Sequence, residues 1–279
     1  MIFLDPKSDI AFKKLFGDIA HKNILISFLN SVLERIEGEK IVEVIINDPS
    51  NVAETPLSKT SIVDVRCTDQ KNNQYIIEMQ VITQKDYAAR AQYYSALALS
   101  RQLASGEKYD KLVPVIFVGI LDFNLFKSDN YLSHHFILDN KTHTQELKHL
   151  EFHFIELKKF AKEVTELDNI LDKWVYFLKN AVSLQVVPEN LKNSVLEDAF
   201  NVLAQSNWSK KELEAYDKYL DAIRSAASQL DTAFEKGIAK GEKKKAIEIA
   251  KQLLGILDIE TIANKTGLSF DEVRNLKNK

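Results

Sequence analysis

Within the stretch IVDVRCTDQKNNQYIIEMQV, Ile62 to Val81, two carboxylates and an amide fall on one face of what reads as a β-hairpin. Strand residues two apart point to the same side, so Glu78 and Gln80 share a face, and Asp64 sits on the preceding strand. The run Asp69-Gln70-Lys71-Asn72-Asn73 between them has the chemistry that a turn needs. Val63, Val65, Tyr75, Ile77 and Met79 are apolar or β-favouring, which makes acids in their midst costly unless a metal or hydrogen bonds satisfy them. Two acids converging there can hold one divalent cation. Such a cation neutralises the charge that builds up during phosphodiester hydrolysis and lowers the pKa of an attacking water. The plainer alternative is that Asp64 and Glu78 are exposed polar residues of a half-solvated hairpin. One cleft holding Asp64, Glu78 and Gln80 is the geometric expectation.

Two helical faces carry further candidates. Asp9 shares a side with Phe12, Lys13 and Phe16, and Tyr87, Arg90 and Tyr94 fall together at spacings of three and four. Arg90 can bind a phosphate, with the tyrosines packing or hydrogen-bonding beside it, or it can simply span helix and sheet. Gln80 orients water or a phosphate oxygen but brings no charge; Lys13 and Lys59 are candidate cations, though each reads more simply as a solvated lysine. Glu156-Leu157-Lys158 also spells Glu-x-Lys, yet it lacks a comparable upstream acid on an adjoining apolar hairpin, and Glu156 and Lys158 read as structural or secondary-site residues. The histidines His134, His135, His143, His149 and His153 read as surface residues rather than a zinc site.

These residues need an α/β scaffold to position them. Asp5-Pro6 predicts a helix start and Gly17 its stop. A second amphipathic helix is expected over His21 to Ile36, a strand over Ile41 to Asn47, and a loop over Asp48 to Thr60. A small-residue helix near Lys85 to Ser105 follows the hairpin. The almost wholly apolar Val113 to Leu121 predicts a central strand parallel to that of Glu78, and Phe152 to Leu157 another strand. Beyond Lys158 the pattern is helical. Its last part, Lys236 to Lys279, is basic and ends in two short helices around Gly267, with Ser269 and Glu272 fitting a capping box. That tail reads equally as a helix-turn-helix-like element or as a packing or homo-oligomerisation element.

With 37 basic and 40 acidic residues among 279, the net charge of −3 excludes a polyanion binder over the whole surface and leaves nucleic-acid contact to local patches. The single cysteine, Cys67, excludes an internal disulfide and a cysteine-based zinc site. No apolar run reaches the roughly 20 residues that span a bilayer, so the expectation is a cytoplasmic protein without membrane contact.

An aspartate, a short hairpin and then Glu-x-Gln resembles the PD-(D/E)XK nuclease core, with Gln80 where that superfamily usually has lysine. SDIAFKKLFG (Ser8 to Gly17), ILISFLN (Ile24 to Asn30), DYAARAQYY (Asp86 to Tyr94) and FHFIELKKF (Phe152 to Phe160) strengthen the likeness. Together they resemble the recombination-promoting nuclease and transposase family, a bacterial branch of those enzymes. The resemblance implies a restriction-endonuclease-like α/β core with a mixed central sheet flanked by helices over residues 1–160, a helical extension over 161–235 and the basic tail over 236–279. It further implies a DNA endonuclease using Mg²⁺ or Mn²⁺, held by Asp64, Glu78 and the backbone carbonyl of Met79, with Asp9 completing the site. A catalytically silent DNA-binding or assembly protein on the same fold is the alternative.

Overall fold

The computed structural model describes residues 1–47, 50–51 and 61–277, which leaves Lys59 and most of the expected loop outside them. The chain divides into two compact units, Met1–Tyr219 and Leu220–Lys279. No helix among the described residues is long and apolar enough to cross a membrane.

The first unit opens with α1 (Asp9–Phe16) and α2 (Lys22–Val32). Helix α1 begins later than the Asp5-Pro6 signal implies, because Ser8 is the cap: its hydroxyl accepts from the Ala11 N–H at 3.2 Å. Asp5 instead closes a turn through the Lys7 N–H. The strands are β1 (Val44–Asn47), β2 (Ser50–Asn51), β3 (Ser61–Ile62), β4 (Val65–Asp69), β5 (Gln74–Gln80), β6 (Val115–Leu121), β7 (Leu132–Ile137) and β8 (Leu147–Glu156), with α3 (Tyr87–Ser100) between β5 and β6. Among the described residues six strands form one mixed sheet in the order β1-β4-β5-β6-β8-β7. β4 and β5 make the expected antiparallel hairpin, Val65 opposite Ile77. β5, β6 and β8 run parallel, because α3 carries the chain back across the sheet. Every residue of β6 is buried, as its unbroken apolar sequence demands of a strand covered on both faces.

Helix α3 lies on one face, with Tyr87, Ala91 and Ala98 packed against Phe117, Phe123 and Phe154. Helices α1, α2, α4 (Ile170–Asn180) and α5 (Ser194–Leu203) share an aromatic core in which Phe16, Phe28 and Trp174 meet at 4.9 to 6.2 Å. Strand β7 is not among the strands expected from the sequence: its Ser-His-His run forms an antiparallel edge on β8. The histidines are accordingly not all at the surface. His153 is buried, and its Nδ1 lies 2.6 Å from that of His134.

Glu156 is structural, as its context indicates. Its carboxylate accepts from the backbone N–H groups of Leu125 and Phe126 and pairs with Lys159 at 2.6 Å, both partners nearly inaccessible, whereas Lys158 is exposed. Glu156→Ala would strand a buried ammonium and two donors, so a loss of about 3–5 kcal/mol in urea unfolding is expected; a change of only a few tenths would mean that water replaces the carboxylate.

The second unit continues α6 (Lys210–Leu253), which begins in the first, and adds α7 (Ile259–Thr266) and α8 (Phe270–Lys277). Ala250, Ile262, Leu268 and Val273 form its small core. Gly267 ends α7 at φ 72°, a left-handed conformation that glycine adopts without penalty. The Ser269–Glu272 capping box is present: each side chain bonds the other's backbone N–H, at 3.2 and 2.9 Å.

Candidate active site

The hairpin register carries the chemistry. Glu78 lies in the buried stretch of β5, and the β4–β5 pairing continued one step beyond Val65–Ile77 sets Asp64 across from it. Asp64 is not itself in a strand. It occupies the bend between β3 and β4, from which its carboxylate accepts the Met79 N–H at 2.7 Å. Burial pushes the Asp64 carboxyl up to about 6, held back by that hydrogen bond and raised further by Asp9. Glu78, only 5 % exposed, is pushed up to about 7, again chiefly by burial, with Arg90 pulling it down and Asp64 pushing it up. The two acids therefore repel one another in a region that solvates them poorly.

Arg90 sits over this pair. Its Nη2 donates to Gln80 Oε1 at 2.8 Å and lies 3.5 Å from Glu78 Oε2, while Nη1 donates to Gln84. The guanidinium also lies 5.0 Å from the Tyr87 ring centroid and 6.0 Å from that of Tyr94. The helical spacing of these three residues thus keeps them together, with Arg90 and Tyr87 beside Glu78. Gln80 donates its own amide to the Ile82 carbonyl at 3.1 Å, so both ends of the side chain are engaged. Asp9 pairs with Lys13 at 2.8 Å, both about half exposed, and this pair is close enough to Asp64 to influence its charge from both directions.

Two features escape sequence reasoning, the approach of the Tyr87 hydroxyl to Glu78 and the role of Gly119. Tyr87, inaccessible to solvent, brings its hydroxyl close to Glu78 without closing a good hydrogen bond, and Arg90 Nε is likewise buried without a partner. Gly119 pairs with Glu78 across β5 and β6. A Cβ there would lie 2.8 Å from Phe154 Cδ1 and 2.9 Å from the Tyr87 hydroxyl, too close for either. The glycine therefore leaves room for the tyrosine beside the acid. Nothing in the apolar run Val115–Leu121 signals this, since a glycine in a strand marks close approach without saying of what. Gly119→Ala is expected to cost about 1–3 kcal/mol of stability. Tyr87→Phe should recover part of that loss in the double variant; strictly additive effects in thermal unfolding would count against the contact.

The donor set suits a hard divalent cation. Among the described residues no three or more His, Cys, Asp or Glu side chains are grouped to hold a metal. Mg²⁺, however, is commonly held by one or two carboxylates with water filling the rest of its shell. Positive charge between Asp64 and Glu78 would offset the burial that raises both and the Asp64 charge that adds to the rise at Glu78.

The family profile for PD-(D/E)XK nuclease family transposases matches residues 6–233. The chain belongs to that family. The match contains the hairpin, α1 and α3, and the mixed α/β sheet agrees with the PD-(D/E)XK fold. No curated protein and no solved structure matches the chain significantly.

Proposed function

We propose that this PD-(D/E)XK family member is a metal-dependent DNA endonuclease that hydrolyses phosphodiester bonds. The observation that carries this reading is a pair of carboxylates, Glu78 buried and Asp64 partly so, set together at one end of a hairpin with the Arg90 guanidinium against Glu78. Asp64, Glu78 and the Met79 carbonyl would hold Mg²⁺ or Mn²⁺, which when bound would supply charge neutralisation and a more acidic water. Asp9 of α1, close enough to Asp64 to raise its pKa, would complete the site.

Arg90 supplies the cation that Gln80 lacks. Gln80 is a positioning residue in this account, because its amide is spent on Arg90 and on the Ile82 carbonyl. The Arg90 side chain keeps 25 % of its surface exposed, so its guanidinium can meet a phosphate oxygen from the solvent side, and Tyr94 flanks it. Hydrolysis is the reaction these groups support; a role in recombination would follow from strand breaks and requires no additional residue.

One observation favours a catalytically silent DNA-binding protein instead: Arg90 already compensates Glu78 at 3.5 Å. Supercoiled plasmid separates the two. Nicking that appears with Mg²⁺ and disappears with EDTA is expected of the endonuclease, whereas binding with intact supercoils at every metal concentration would support the silent alternative.

A further inference from the structure

The part of α6 that lies in the second unit has a surface that its own chain leaves bare. Every residue from Ala227 to Lys245 is exposed, roughly five turns of helix without a packing partner. Helices in proteins draw most of their stability from burying an amphipathic face, and this stretch buries none. It nonetheless has such a face. At helical spacings of three and four, Ile223, Ala227, Leu230, Phe234, Ile238 and Gly241 fall on one side, with Thr232, Lys236 and Lys243 on the other. Leu230 is 53 % exposed, Phe234 70 % and Ile238 46 %. Gly237 and Gly241 interrupt the same stretch, each weakening the helix relative to alanine, although a Cβ at either would meet nothing within 4 Å. Nothing within the chain asks for their smallness.

We infer that this face pairs antiparallel with the same face of a second copy of the chain. The stripe is complementary to its own reverse. With Leu230 set against Phe234 of the second copy, the same register brings Ile223 opposite Gly241 and Ile238 opposite Ala226, so each outer large side chain meets a small residue, as interlocking helices require. Such a contact is isologous: every pairing occurs twice about one two-fold axis, which closes the assembly at two chains. Charge selects the same direction. From Leu220 to Glu235 the acids Asp221, Asp231 and Glu235 outnumber Arg224, whereas from Lys236 to Lys245 five lysines stand against Glu242, one of them, Lys243, also paired with Glu272. A parallel pair would lay the lysine run against itself; the antiparallel pair lays it over the acidic half. Duplex DNA would suit the lysines but would leave Leu230, Phe234 and Ile238 in water.

The test is sedimentation equilibrium of the full chain. Wild type is expected to weigh twice the 31.8 kDa of one chain at micromolar concentration, and Leu230→Gln combined with Phe234→Gln to weaken dimerisation by about a hundredfold or more. Both side chains are exposed in the single chain, so the substitutions leave its own core intact. Added salt should loosen the wild-type dimer, since opposite charges lie across it. Orientation is read by mixing two variants that each carry one added cysteine, Ala227→Cys and Gly237→Cys, positions that the register brings together; the chain's own Cys67 is buried. Mild oxidation is expected to link one variant to the other and neither to itself. A chain that stays monomeric at about 100 µM, a dimer unmoved by the paired glutamine substitutions, or cross-links of each variant with itself overturns the inference. So does a monomer whose affinity for duplex DNA falls with those substitutions, which would give the stripe to nucleic acid.

Discussion

Glu78→Gln is expected to lower metal-dependent nicking by about a thousandfold, the loss that removal of several kcal/mol of charge stabilisation at the transition state entails, while making the metal-free protein more stable at pH 8. The second effect follows from the direction of the pKa shifts. Asp64 rises from 3.8 to about 6 and Glu78 from 4.5 to about 7 on folding, chiefly because the fold takes water away from a partly buried and a buried carboxyl. A carboxyl whose folded value exceeds its unfolded value binds more protons in the native state. Its contribution is most favourable below the unfolded value and is lost as pH rises through the folded one. The metal-free protein should therefore lose stability between about pH 4 and pH 7, on the order of a few kcal/mol for the pair. Glutamine has no proton to lose, so Glu78→Gln should flatten that decline, and Mg²⁺ should reverse it in wild type at pH 8. Unfolding in urea at pH 5 and pH 8 reads all three, and an identical slope in wild type and variant would remove Glu78 as a source of the pH dependence.

The other large effect is expected at Arg90. Arg90→Ala should cut nicking about a hundredfold or more, comparable to losing one preorganised donor at a developing charge, and should also lower stability at pH 8 by leaving Glu78 buried without its counter-charge. Arg90→Lys keeps the charge but loses the planar fork that reaches Gln80, Gln84 and Glu78 together, so it should restore stability more than rate. Equal recovery of both would mean that charge alone is required. Gln80→Leu makes the complementary point: if Gln80 acts by positioning Arg90, its loss should weaken cleavage by less than loss of Arg90 itself.

How much of this was legible in the sequence depended on the range over which each signal acts. The hairpin is local: alternation in QYIIEMQ and the Asp/Asn-rich turn specify both strands and their register, and with it the approach of Asp64 to Glu78. The face Tyr87-Arg90-Tyr94 was equally readable, because helical periodicity fixes which side chains stand together. The parallel β5–β6 pair followed from an apolar run after a helical crossover. Gly119 and the Tyr87 hydroxyl were not legible, since the close contact joins residues from different elements and neither residue type announces its partner. Strand β7 was missed for a similar reason: Leu132–Ile137 is rich in polar residues because it is a sheet edge, and its pairing is fixed by β8 rather than by its own composition. The source of the motif's positive charge needed the fold as well. Lysines were the natural candidates by type, yet Lys13 is paired with Asp9, and the guanidinium nearest Glu78 arrives from α3, after the hairpin has ended.

The measurement that bears most directly on the central claim is anomalous scattering from crystals soaked in Mn²⁺. A single strong peak bonded to the carboxylates of both Asp64 and Glu78, absent from Glu78→Gln crystals treated in the same way, is the predicted result. Full Mn²⁺ occupancy elsewhere in the first unit, with none between these two acids, would contradict it.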